Sequence, residues 1–126
     1  MRKIKVLKIV SHQLISFILF FSAVFTTQSV IAEEGIAAYY SDVFQGRKTA
    51  SGDIYDRDKL TAAHKTLPYG TRVKVTHLNN DKSVIVTITD RGPYTKKRII
   101  DLSYAAAQEI DLIRPGISMV RLEILE

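Results

Sequence analysis

The clearest pattern of polar and apolar positions lies between residues 72 and 89. Residues 72–78 (RVKVTHL) alternate polar and apolar side chains, the period of a strand with one buried face. Residues 79–82 (NNDK) follow, and Asn and Asp tolerate the left-handed backbone that a tight reversal requires. Residues 83–89 (SVIVTIT) then resume as a β-branched run, so the two segments predict a hairpin. Residues 118–125 alternate again and place Val120, Leu122 and Ile124 on one face. Residues 35–40 predict a first strand, and 60–63 and 98–101 predict short ones. One helix is expected over 104–110, because the Ser103 hydroxyl can accept from an unpaired first-turn amide. Pro115-Gly116 stops anything helical before the last strand. About six strands and one short helix, with no repeat or low-complexity stretch, predict an all-β, closed or nearly closed barrel.

The start of the chain follows a different pattern. Arg2, Lys3, Lys5 and Lys8 precede an apolar run over residues 14–25 (LISFILFFSAVF), and Val30-Ile31-Ala32 closes the segment. A basic start, a short apolar core and a small-residue exit predict a signal peptide over 1–32, cut after Ala32. The competing reading is a retained membrane anchor. A helical run of that length spans about 18 Å, short of the ~30 Å hydrocarbon core, so cleavage is favoured. The protein is then exported, periplasmic or secreted to the cell envelope, with no stable membrane anchor.

Charge and composition narrow the choice further. The chain carries 18 Lys and Arg against 13 Asp and Glu. The first 32 residues hold four of those cations and no acid, so the remaining domain, 33–126, is nearly neutral. The basic balance belongs to the export segment and gives no reason to expect nucleic acid. With no Cys, disulfides and Cys-based metal sites or nucleophiles are excluded. No dinucleotide or phosphate-loop pattern occurs. The domain must rest on a compact apolar core.

Three places could hold chemistry. Asp90 shares the parity of Val84, Val86 and Ile88, which puts it at the barrel rim on the inward side, beside apolar atoms. The same residue could instead close an Asx-turn before Gly92. Asp101 stands in the apolar stretch 99–102, where a carboxylate is paired structurally, tuned for proton transfer, or used as a helix cap. Asp53, Asp56 and His64 form a third group. They could orient a sugar, share protons or bind a metal, although their spacing lacks a His-x-x-x-His or a calcium-loop pattern. His77, on the face of Val73 and Val75, reads as structural. Six tyrosines offer apolar plates with polar tips, suited equally to sugar stacking and to barrel cores.

Four separated motifs add a resemblance. GRKTASG at 46–52, LTAAHKTLPYGT at 60–71, DRGP at 90–93 and RIIDLS at 98–103 resemble, in order, the rare lipoprotein A (RlpA) family. The resemblance spans nearly all of residues 35–125. It implies a six-stranded double-psi β-barrel, as in expansins. It also implies an endolytic peptidoglycan lytic transglycosylase that prefers glycan strands lacking stem peptides. The family's activity-linked residues fall on Asp53, Asp56, His64 and Asp90, and Asp101 resembles the acid of expansin-like barrels. Thr49, Tyr55, Arg91 and Tyr94 are the expected substrate contacts.

Three features depart from the family. The first loop acid is usually Glu, and here it is Asp53. The lipid-attachment Cys is absent. No peptidoglycan-binding domain follows the barrel in this sequence. The expected partner is peptidoglycan glycan, with no cofactor and a monomeric protein. A non-catalytic, expansin-like wall-binding module is the alternative. The enzyme reading requires the distant carboxylates and the imidazole to meet in one cleft.

Overall fold

The computed structural model describes residues 31–125. Among the described residues there are six strands: β1 (Ala32–Tyr39), β2 (Thr61–His64), β3 (Arg72–His77), β4 (Ser83–Asp90), β5 (Arg98–Leu102) and β6 (Ser118–Ile124). They close into a barrel in the order β1-β5-β2-β4-β3-β6. The pairs β1–β5 and β2–β4 are parallel and the other four antiparallel. Parallel neighbours need long crossovers; of the candidate residues, Asp53 and Asp56 lie in the loop between β1 and β2, while His64, Asp90 and Asp101 lie on strands. The export segment lies outside the described residues up to residue 30. Ala32, where it was expected to end, already pairs with Glu123 as the first residue of β1.

The hairpin forms as the alternation predicts, with Val73 opposite Val86 and Val75 opposite Val84. Asp81 takes a left-handed backbone (φ 59°) in its turn. Residues from both parities of the barrel's interior build one core: Val73, Val75, Val84, Val86, Ile88, Ile100, Leu102, Val120 and Leu122. Ile124, expected on the same face as Val120 and Leu122, is only half-buried.

Helix α1 (Tyr104–Glu109) covers the barrel with Ala106 and Ala107. Ser103 caps it as expected. Its Oγ accepts from Ala106 N (3.2 Å) and donates to the Lys59 carbonyl (2.6 Å). That leaves no capping role for Asp101. His77 is structural: Nδ1 donates to the Ile110 carbonyl (2.7 Å) and Nε2 accepts from the Ser118 hydroxyl (2.8 Å). A short 3-10 turn over Asp42–Phe44, which the alternation did not predict, follows β1.

Candidate active-site groove

One register line crosses four neighbouring strands. Ala38 of β1 pairs with Asp101 of β5, Asp101 with Ala63 of β2, and Ala63 with Asp90 of β4. Asp101 lies between the fully buried Ile100 and Leu102, so alternation turns it onto the barrel's outer face. Asp90 reaches that face by a different route. Ala62 pairs with Ile88, but the next residue, Ala63, pairs with Asp90, so the ladder skips Thr89. Such a bulge re-aims the side chains after it. The inward rim position expected for Asp90 from parity with Ile88 is therefore corrected by one extra residue in β4.

The two carboxyls stand on either side of the small Ala63 side chain in a groove of about 390 Å³. Tyr40, Phe44, Arg91, Tyr94 and Arg98 line its walls. With strands ~4.8 Å apart, two strand steps separate the Asp90 and Asp101 Cα atoms by about 10 Å, close enough for both side chains to flank one sugar linkage.

The carboxyls meet different partners. Asp90 Oδ2 accepts from the Tyr40 hydroxyl (2.5 Å), and Oδ1 accepts from Ala50 N (2.8 Å) and Arg91 N (2.9 Å). The bond expected for an Asx-turn, from Gly92 N, is replaced by these. Ala50 belongs to the loop that carries Asp53, so that loop reaches Asp90 through its backbone. Asp101 Oδ2 accepts from Arg98 Nη2 (2.9 Å), while Oδ1 is buried without a partner. Burial raises the Asp101 pKa and outweighs the opposing pull of Arg98, and the neighbouring Asp90 raises it further. Asp101 thus favours its protonated form more than an exposed aspartate does.

Tyr40 was not singled out by the sequence, although the Tyr39-Tyr40 pair at the end of a strand was its signal. Its ring stacks on Tyr55 with centroids 4.4 Å apart and planes 12° apart, and its edge meets Phe44 at 5.7 Å. Burial, then the bond to Asp90, raises the Tyr40 phenol well above the ordinary tyrosine value, so it remains a donor. Phe44 and Arg98 likewise join the groove unannounced, the first through the 3-10 turn and the second through the β5 register.

The remaining expected site residues divide. Arg91 lines the groove, and Tyr94 stands at its rim, 90% exposed. Tyr55, expected to contact substrate, is 3% exposed because Tyr40 covers its face, and its hydroxyl accepts from Tyr104 N (3.2 Å). It supports the groove from behind. Thr49 hydrogen bonds to Ser51 and to the Asp53 carbonyl, which shapes the loop. Asp53 and Asp56 line a neighbouring cavity of about 290 Å³ with Ile54, Lys59 and Thr89. Asp56 Oδ1 accepts from Asp58 N (2.9 Å) as a turn residue does.

His64 follows Ala63 on β2, so its ring points away from the groove. It is 5% exposed and its Nε2 lies 3.1 Å from Glu33 Oε2. The single cleft expected for all five residues is therefore corrected, and the part of that requirement the structure meets is the pair Asp90 and Asp101. Asp90 and Asp101 meet, Asp53 and Asp56 lie in the adjoining cavity, and His64 lies behind the sheet. Among the described residues no three His, Cys, Asp or Glu side chains gather to hold a metal ion.

Known proteins resemble this chain in sequence or in fold. It is 58% identical over 93 residues to the endolytic peptidoglycan transglycosylase RlpA of Haemophilus influenzae, covering 74% of this chain and 32% of that protein. The Pasteurella multocida protein of the same name is 57% identical over 95 residues, covering 75% and 32%. The chain thus spans about a third of the length of these curated relatives. Among solved structures, a Streptomyces papain inhibitor superposes with a TM-score of 0.62 at 23% identity, covering 76% of this chain and 96% of that one. The apo expansin of Clavibacter michiganensis gives 0.60 at 20% identity, covering 76% and 51%. At such identities these two speak for the fold alone. A family described as "Lytic transglycolase" matches residues 32–122, and with the relatives above it establishes that the chain belongs to the RlpA-like family of double-psi β-barrels.

Proposed function

We propose that this protein is an endolytic peptidoglycan lytic transglycosylase, acting as a monomer in the cell envelope on glycan strands lacking stem peptides. The observation that carries this reading is the pair of unlike carboxyls, Asp101 and Asp90, facing one groove across Ala63. The names of the curated relatives support the substrate class.

In the proposed reaction Asp101 is the general acid. It gives its proton to the glycosidic oxygen that leaves C1 of MurNAc, and a rotation about χ2 brings either carboxyl oxygen to the task. The 6-hydroxyl of the same MurNAc attacks C1, forming the C1–O6 bond as the C1–O4 bond breaks. Its proton passes to Asp90. Three donors occupy the Asp90 oxygens, and a carboxylate has about four acceptor sites, so one stays open for the substrate. Because the attack is intramolecular, positioning contributes more than a protein nucleophile would. A hydrolase would instead have to place a water or a covalent nucleophile. Tyr40, Phe44 and Tyr94 offer apolar surface to sugar rings, while Asp53 and Asp56 extend the binding surface into the adjoining cavity. The chemistry calls on no cofactor.

The test is mass analysis of amidase-treated peptidoglycan after incubation with the protein. Products ending in 1,6-anhydroMurNAc, lost in folded Asp101→Asn and Asp90→Asn variants, are expected. Reducing-end MurNAc would establish hydrolysis instead. Binding without any product would favour an expansin-like wall module, which could use the same aromatic wall.

A further inference from the structure

We infer that His64 is a positioning residue and not a proton carrier: with Glu33 and Arg91 it forms a clamp that aims Asp90. The inference rests on the transglycosylase reading for its activity readout, but its geometry is independent of that reading.

Both ring nitrogens of His64 are engaged. Nδ1 lies 3.1 Å from each of the backbone N–H groups of Thr66 and Leu67. Two donors converging on one nitrogen require it to be the unprotonated acceptor. Nε2 therefore carries the hydrogen and donates it to Glu33 Oε2 at 3.1 Å. This arrangement ties the N-terminal strand to the turn that follows β2. It leaves neither nitrogen free to exchange a proton with a sugar, and the ring is nearly inaccessible.

The turn that His64 folds has a second use. Its carbonyls, from His64 (3.2 Å) and Leu67 (2.8 Å), both accept from Arg91 Nη1. The Arg91 guanidinium also lies 4.1 Å above the Tyr69 ring, so the side chain is held at its end and along its face. Arg91 directly follows Asp90, and its backbone N–H donates to Asp90 Oδ1. The path thus runs from Glu33 through the imidazole and the 64–67 turn to the Arg91 guanidinium, and from there along the main chain to the carboxylate. Losing the Nδ1 acceptor strands two backbone donors and reshapes the turn, which frees Arg91 and lets Asp90 drift.

Two substitutions separate positioning from proton transfer. In His64→Asn, Oδ1 takes the place of Nδ1 and can accept from Thr66 and Leu67, but the side chain cannot titrate. In His64→Gln the amide lies further out, near the Nε2 site, and the Nδ1 acceptor is lost. An ångström-scale misplacement costs about a hundredfold in rate, so His64→Gln and His64→Ala are expected to lose about that much kcat with KM little changed. His64→Asn should return to within about tenfold of wild type on amidase-treated glycan, each variant first verified by a cooperative melt. A proton carrier would make the Asn variant as inactive as the Ala variant, and that result overturns the inference. Independently of activity, nitrogen-15 NMR of the imidazole should show the Nε2–H tautomer at neutral pH. An Nδ1–H tautomer or an imidazolium would also overturn it. A wild-type protein giving no anhydro product would count against the transglycosylase reading, while the tautomer would still decide the role of His64.

Discussion

Replacing Arg98 by Met removes the cation that opposes burial at Asp101. Arg98 Nη2 lies 2.9 Å from Asp101 Oδ2, with side-chain exposures of 36% and 20%. A guanidinium at this distance lowers an aspartate pKa by about 1–3 units, and the partial exposure of the pair argues for the low end. Removing it disfavours the charged carboxylate, so the already raised Asp101 pKa should climb further. If Asp101 is the general acid, activity falls as pH rises through its pKa, and the alkaline limb of the profile should move upward by the same amount. The assay is the initial rate of 1,6-anhydroMurNAc release from amidase-treated glycan across about pH 4–9, read as kcat/KM. Arg98 lines the groove, so the height of the profile is free to fall. The position of the limb is the test. A limb that stays in place or moves down would refute Asp101 as the acid.

Three further outcomes are expected. The raised Asp101 pKa means that its stabilising contribution is complete below the ordinary aspartate value and is lost as pH rises through the raised one. The melting temperature of wild type relative to Asp101→Asn should therefore decline with pH across that window, and a constant difference in paired thermal melts would contradict the burial argument. Tyr40→Phe deletes a hydrogen bond to a carboxylate, about 1.5–3 kcal/mol, while keeping the stack on Tyr55. It should lower kcat by about tenfold to a hundredfold. Unchanged steady-state kinetics would remove Tyr40 from the site. Gly35→Ala would place a Cβ 2.7 Å from Ile99 Cγ2, an overpacking worth about 1–3 kcal/mol. In a domain of this size the melt should fall by about 4–8 °C for each kcal/mol. An unaltered melt would show that β1 and β5 are not packed this closely.

Local signals located much of this molecule. Alternation found the hairpin and β6, because a strand with one buried face repeats every two residues whatever it packs against. Ser103 was legible as a cap because capping is settled within one helical turn. His77 was legible as structural from its parity with Val73 and Val75. The motifs indicated the family, and with it the barrel and the candidate acids. Tyr40 was harder to find, since a tyrosine after a strand looks the same whether it faces solvent or a carboxylate 50 residues away.

What the sequence determined by itself was the set of strands, the helix start and the identity of the titratable side chains, all of them matters of local period and chemistry. Only the closed sheet decided which of those side chains share a surface. One skipped residue, Thr89, moves Asp90 from the parity of Ile88 to the face of Asp101, and one step along β2 separates Ala63 in the groove from His64 behind it. A bulge and a register are fixed by pairing between distant strands, so no window of the chain contains them.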